Sequence, residues 1–363
     1  SIKRNVFVFT QERVNAYDDL PNIDFFVIDE FYKINSLEGD NSRTVALNLA
    51  FQKLHEMGGQ FYLLGPCIEK IPDEIPDKLG AKFIPTNYNT VISEQRRITK
   101  GKDDLDDLMN LCRELKDQTL IFCRSPKRVN DIAQLMLKND IGIQTEELIH
   151  SINWASKHYH PDWIWGKALY HGIGIHHGRL PRSLSQYVVR MFNESKLQFL
   201  ICTSTLIEGV NTNAKNVVVF DNTIANRKYD YFTFNNIKGR SGRMFVHYIG
   251  NVYLFNEPPQ AELPFVDFPL ITQDNRVPNS LLVQIDENEL SPEAKTRTQD
   301  IFDSEVLPMK IIKSNATIDP DNQIELAEKI HNDIKTAHHL LNWSQKPTWD
   351  QLVYTCELIW KYL

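Results

Sequence analysis

Short, wholly apolar runs alternate along this chain with longer stretches in which apolar residues recur every three or four positions. Val6–Phe9, Ile23–Ile28 and Phe61–Leu64 have the length and density of buried strands. Between the last two, Arg43–Met57 sets Ala46, Leu49, Ala50, Lys53, Leu54 and Met57 along one side and predicts a helix. Gly65-Pro66 closes the third run. Pro72, Pro76 and Pro85 follow, leading into a polar segment around 87–102 that predicts a boundary.

Beyond it the alternation resumes. The pattern predicts a helix over Asp103–Leu115, a strand over Thr119–Cys123, a helix over Pro126–Leu137, a strand at Ile173–Ile175 and a helix over Pro181–Phe192. Strands Leu197–Cys202, Val217–Phe220 and Asn251–Phe255 come next, with a helix over Asp230–Lys238 before the last. Trp154–Trp165 reads as a Trp-rich loop in which His158 and His160 pack or face solvent. Strands separated by helices imply parallel sheets covered on both faces. After Pro258-Pro259 the pattern turns helical, over Gln323–Trp343 and Trp349–Tyr362. The expected division is 1–92, 93–258 and a mainly helical 259–363.

Composition changes this picture little. The 363 residues are 42% hydrophobic and 24% charged, as in globular chains. No apolar run approaches the ~20 residues of a membrane span. The net charge of −7 provides no general basic field, so nucleic acid would need a local basic track. Cys67, Cys112, Cys123, Cys202 and Cys356 are odd in number and widely spaced, which predicts free thiols in a reducing cytoplasm.

Chemistry enters at four places. Asp29-Glu30 follows a strand directly, where parallel sheets hold ligands; an Asp there suits Mg²⁺ and a Glu suits proton abstraction from water, although such a pair also caps turns. Gly239-Arg240-Ser241-Gly242-Arg243 places two arginines among glycines, apt for a triphosphate or simply a solvated loop. Thr203-Ser204-Thr205 opens what the pattern predicts as a short helix after a buried strand, a phosphate seat or an N-cap. His176-His177 lacks a third ligand at zinc spacing. No Gly-x-x-x-x-Gly-Lys-[Ser/Thr] phosphate loop occurs in the 363 residues.

In order, the chain reads Thr10-Gln11-Glu12-Arg13, Asp29-Glu30-Phe31-Tyr32, Leu120–Arg124, Gly172–Arg179, Cys202–Asn211 and Asn236–Arg243. This set, spread from about Thr10 to Phe255, resembles the DExH-type superfamily 2 helicases, in the branch of exosome-associated RNA helicases and archaeal repair helicases. The resemblance implies an α/β fold of two RecA-like parallel-sheet lobes, the first incomplete, followed by a mainly helical C-terminal region. It implies ATP and Mg²⁺ as cofactors and the backbone of DNA or RNA as partner, with no membrane. Asp29 matches the metal ligand, Glu30 the water-activating base, and Arg240 and Arg243 the motif VI arginines. Gly209, Asn211 and Asn236 match nucleotide-contacting positions. Thr10, Arg13, Arg124, His177, Arg179, Thr203 and Thr205 match positions that contact the nucleic-acid backbone.

Departures from the family pattern are Tyr32 for His, Leu64-Gly65-Pro66 for Ser-Ala-Thr, and Asn236 for Gln. The short stretch from Asp221 to Asn236 leaves room for only a small strand-splitting hairpin. The expectation is a helicase motor without its phosphate-loop segment, inactive alone. The alternative is a degenerate scaffold that binds nucleic acid or a partner protein such as a nuclease without hydrolysis.

Overall fold

The computed structural model describes residues 5–35, 41–65, 68, 70–86, 92–99, 101–209, 212, 214–242, 249–261 and 265–363. The chain divides into two compact units, one formed by Ser1–Pro85 with Pro264–Leu363, the other by Thr86–Leu263.

In the first unit α1 (Gln11–Asn15) precedes β1 (Phe25–Asp29), α2 (Asn41–Glu56) leads to β2 (Gln60–Leu64), and α3 (Ile75–Leu79) follows. β1 and β2 pair in parallel, with Asp29 opposite Leu64. Phe26, Phe31, Phe51 and Leu54 form the core beneath them, joined by Val266 and Phe268 of the returning segment. Val6–Phe9 is not a strand. Val6 and Val8 are each 89% exposed: among the described residues no strand takes up their backbone groups, and the apolar run alone cannot make a ladder.

The second unit is a six-stranded parallel sheet. Its strands are β3 (Ile92–Arg97), β4 (Thr119–Phe122), β5 (Ile173–His176), β6 (Phe199–Cys202), β7 (Asn216–Val219) and β10 (Ile249–Leu254). Their spatial order is β3-β10-β7-β4-β6-β5. A separate antiparallel hairpin joins β8 (Thr223–Ile224) to β9 (Arg227–Lys228). β4 to β7 are buried at every position, which is why they read as unbroken apolar runs. β3 is a polar edge strand with exposed positions, and for that reason the pattern along the chain passes over it.

Helices α4 (Asp104–Glu114), α5 (Pro126–Lys138), α6 (Ile149–His158), α7 (Ile164–Tyr170), α8 (Arg182–Asn193), α9 (Ser204–Gly209) and α10 (Tyr231–Lys238) connect these strands. Three starts are set by side-chain caps: Asp103 accepts the Leu105 N–H at 2.8 Å, Ser125 that of Arg128 at 3.2 Å, and Asp230 that of Thr233 at 2.8 Å. Of the Trp-rich segment, Trp154–His158 belongs to α6 and Ile164-Trp165 opens α7, and only 159–163, with His160, is a loop between them. Burial of Ala155, Trp165, Ala168 and Leu169 against the core outweighs the poor helix propensity of its aromatics. His158 bonds the Trp154 carbonyl at 2.9 Å and stacks on its ring.

The C-terminal segment is helical: α11 (Pro269–Thr272), α12 (Asn279–Leu282), α13 (Pro292–Phe302), α14 (Met309–Ser314), α15 (Pro320–Leu341) and α16 (Trp349–Tyr362). Leu281, Leu282 and Ile285 pack with Val45 of α2. The architecture is α/β with RecA-like parallel sheets and a helical C-terminal region, as the resemblance implied. Among the described residues no helix is long and apolar enough to cross a membrane.

Candidate functional site

In the first unit the acid pair stands where β1 ends. Asp29 is exposed, and its Oδ1 accepts the Glu30 N–H at 2.9 Å. Glu30 adopts a left-handed backbone (φ 56°), uncommon for a residue with a Cβ, and opens a short 3-10 turn over Phe31–Ile34. Its Oε2 meets Lys33 Nζ at 2.6 Å. Below, the buried Asn48 of α2 donates to the Ile34 carbonyl at 2.9 Å and fixes the far end of that turn. Leu64 sits opposite Asp29 on β2, so an alkyl group stands where the family resemblance expects a hydroxyl.

Thr10 is the N-cap residue of α1 but its hydroxyl accepts no backbone N–H, and both it and Arg13 are exposed. Side-chain bonds in both directions anchor this helix to α2. Asn15 bonds the Ala46 carbonyl at 2.8 Å, and Lys53 reaches the Val14 and Tyr17 carbonyls at 3.0 and 2.8 Å.

In the second unit the residues expected to meet a nucleic-acid backbone gather at one edge, and the Arg240 turn lies against the starts of β3, β7 and β10. β4, β6 and β5 are neighbours, with Phe122 and His176 both opposite Cys202, so the loops after all three leave the same carboxyl edge. Backbone bonds join those loops: Cys123 N–H to the Cys202 carbonyl at 2.8 Å, and Thr203 N–H to the His176 carbonyl at 3.2 Å. A Cβ on Gly178 would lie 3.1 Å from the Thr205 methyl, so the loops after β5 and β6 touch. Arg124, Arg179 and Thr205 are exposed there, whereas His177 and Thr203 are buried behind them. The Thr203 and Thr205 hydroxyls lie 3.1 Å apart. Burial, reinforced by His177, lowers His176 to about 4; burial likewise depresses His177, with Arg179 adding to it.

The arginine turn begins at the end of α10. Arg240 is half-buried, and its charge partly opposes the burial that raises the Cys202 thiol. Asn236 is half-buried on α10, and Gly209 is the last residue of α9. Arg243 and Asn211 lie outside the described residues. The turn itself is tightly built. Ala214 N–H donates to the Arg240 carbonyl at 3.0 Å, and Gly242 N–H to the Ala214 carbonyl at 2.7 Å. The buried Ser241 hydroxyl contacts the Lys238 carbonyl at 2.7 Å and the Ser93 hydroxyl of β3 at 2.8 Å.

Reading the chain alone misses three of these supports. Lys33 and Ser93 carried no signal in it. Gly250 did: it is a glycine inside the β10 pattern, which marks close backbone approach. A Cβ there would stand 2.5 Å from the Ser241 carbonyl carbon and 2.6 Å from the Gly242 nitrogen. Gly242 itself takes φ 82°, which favours glycine.

Residues 102–245 match the helicase conserved C-terminal domain. The chain is 39% identical over 325 residues to anti-bacteriophage protein B of Escherichia coli K12, covering 86% of this chain and 44% of that protein. It is 25% identical over 244 residues to the ATP-dependent DNA helicase Hel308 of Thermoplasma volcanium, covering 61% and 34%. It is 24% identical over 287 residues to DNA polymerase theta of Drosophila melanogaster, covering 66% and 14%. The chain belongs to the superfamily 2 helicases. It spans less than half the length of each of these relatives. Within the superfamily it falls in the branch that holds Hel308 and the polymerase-theta-like helicases, and the matched domain covers the carboxyl-edge loops and Arg240.

Among the described residues no three His, Cys, Asp or Glu side chains converge as a metal cage. The exposed Asp29 carboxylate nevertheless suits Mg²⁺, which keeps most of its waters and takes one or two protein carboxylates beside phosphate oxygens.

Proposed function

We propose that this chain is the greater part of an ATP-driven motor that moves along a nucleic-acid strand. The observation that carries the reading is the carboxyl edge of the six-stranded sheet, where Arg124, Arg179 and Thr205 are exposed on loops that touch one another. Cationic and hydroxyl groups on rigid strand ends are what a sequence-independent hold on phosphates requires.

Asp29 would hold Mg²⁺ through water, and the ion, when bound, would draw charge from the phosphates. Glu30 would take the proton of the attacking water, with Lys33 holding its carboxylate in place. Arg240 and Arg243 would neutralise the charge that develops on the transferred phosphoryl group, and Gly209, Asn211 and Asn236 would border the nucleotide. Thr10 and Arg13 on one unit, and Arg124, Arg179 and Thr205 on the other, would grip the backbone. Thr203 and His177 would support that second grip from behind.

The test is nucleic-acid-stimulated ATP hydrolysis by the whole protein and by its Glu30→Gln and Arg240→Ala variants. Glu30→Gln should cost about 10²–10⁴ in turnover, and Arg240→Ala about 10³ or more. Unaltered turnover in both would refute the assignment. One observation favours a second reading. With Leu64 opposite Asp29, the family's hydroxyl link beside the acid pair is gone, which suits a scaffold that binds nucleic acid, or a partner such as a nuclease, without hydrolysis. In that case the unsubstituted protein binds strands but turns over no ATP.

A further inference from the structure

The chain's net charge of −7 leaves open which local surface could track a phosphate backbone. The β8–β9 hairpin supplies one. Its register pairs Thr223 with Lys228 and Ile224 with Arg227, and the turn is Ala225-Asn226, with Ala225 at φ 51°. All four residues from Ala225 to Lys228 are exposed. The apolar members face inward: Ile224 is half-buried, and Tyr229 is buried with its ring against Phe122 and Phe234. The tip therefore offers no aromatic or large aliphatic group to push between stacked bases.

The hairpin is also fixed in place. Ala225 N–H donates to the Arg124 carbonyl at 2.9 Å, and Arg124 N–H donates to Asp221 Oδ2 at 2.9 Å. Asp221 also faces Arg128 Nε at 3.9 Å, and the Arg128 guanidinium lies over the Phe220 ring at 4.9 Å. One peptide, that of Arg124, thus joins the base of the hairpin to its turn. The arrangement ties the hairpin that carries Arg227 and Lys228 to the exposed Arg124, and no described residue forms an ion pair with any of the three. Asp221 is turned inward and occupied, and Asp230, two residues after Lys228, caps α10 by accepting the Thr233 N–H.

We infer that this hairpin grips the phosphates of a single-stranded nucleic acid through Arg227 and Lys228, with Asp221 as the positioning residue, and is not a wedge between paired strands. The inference rests on the nucleic-acid motor reading above and adds the element that meets the strand ahead of Arg124.

The test is fluorescence anisotropy of the full chain with labelled single-stranded DNA and RNA of one sequence, across a salt series. Removing two phosphate contacts should make the slope of log affinity against log salt shallower by about 1.4, and weaken binding roughly 10- to 30-fold at ~0.1 M salt. The double variant Arg227→Ala/Lys228→Ala should show both effects. Asp221→Ala should weaken binding as well, and Asp221→Asn, whose amide oxygen still accepts the Arg124 N–H, should restore it. Should Asp221→Ala fail to fold, the exposed double variant alone decides. An equal loss on DNA and RNA assigns the contact to the phosphates common to both; a loss confined to one names the strand it serves. A double variant with the slope and affinity of the unsubstituted chain overturns the inference while leaving the motor reading intact. If the unsubstituted chain binds neither strand, both fall.

Discussion

Gly250→Ala tests how the arginine turn is held. The added methyl would lie 2.5 Å from the Ser241 carbonyl carbon, 2.6 Å from the Gly242 nitrogen and 2.8 Å from the Ser241 Cβ, against ordinary contacts of 3.4–4 Å. The turn must withdraw by about 1 Å, and nothing soft stands in the way. The obstructing atoms are backbone, tied by the Ala214 bonds on one side and by the Ser241 hydroxyl on the other. Overpacking of this kind costs about 1–3 kcal/mol, a large share of the ~5–15 kcal/mol that holds a domain together. The same displacement moves Arg240, and in the role proposed for it a shift of about 1 Å costs on the order of 10²-fold in rate. Urea denaturation should show a lower midpoint with an unchanged slope, and ATP turnover by the whole protein should fall further than the stability loss explains. Gly166→Ala is the internal control. It lies within α7, where the nearest heavy atom to a new Cβ is 4.0 Å away, so it should stabilise by about 0.5–1 kcal/mol. A Gly250→Ala chain with the unsubstituted midpoint and full turnover would refute the argument.

Other perturbations probe the rest of the site. His176 is lowered from 6.5 to about 4 by burial, so the unfolded chain takes up a proton before the folded one. Its contribution is fully present above about pH 6.5 and is lost as pH falls through about 4. The ceiling is about 3 kcal/mol at 1.36 kcal/mol per pH unit, and His176→Gln should flatten the stability profile between those limits. Lys33→Met should change stability by less than about 0.5 kcal/mol, since its pair with Glu30 is partly exposed, but should slow ATP turnover; unaltered turnover would show that the pair does not serve the base. Cys356 should react with a thiol reagent in the native chain, while the buried Cys123 and Cys202, both shifted up by burial, and Cys112, pushed up to about 12, should react only on unfolding; rapid native labelling of these three would contradict their burial.

The core of the second unit was legible from the chain because β4 to β7 are buried on both faces, and such strands cannot avoid being continuous apolar runs. The acid pair and the arginine turn were legible because their chemistry is local in sequence. What stayed hidden depends on partners far along the chain. β3 is polar and is a strand only because β10 pairs with it, whereas Val6–Phe9 has the composition of a strand but no partner strand among the described residues. The Ser93–Ser241 bond, the Lys53 anchor on α1 and the bond from Ala225 to Arg124 are likewise set by tertiary contact. The small hairpin was bounded by loop length, but its basic tip and its fixed base emerge only in three dimensions.

The edge strand β3 has a consequence for how the chain is made. Arg97, at its end, meets Glu257, 160 residues further on. At about 5–20 residues per second, a ribosome takes roughly 8–30 s to deliver that partner. Throughout that interval β3 presents unpaired backbone groups to every other nascent chain nearby. Glu94, Gln95, Arg96 and Arg97 meet this hazard, because a charged strand is a poor template for promiscuous pairing. The polarity that hides β3 from pattern reading thus protects the newborn chain from aggregation until β10 arrives.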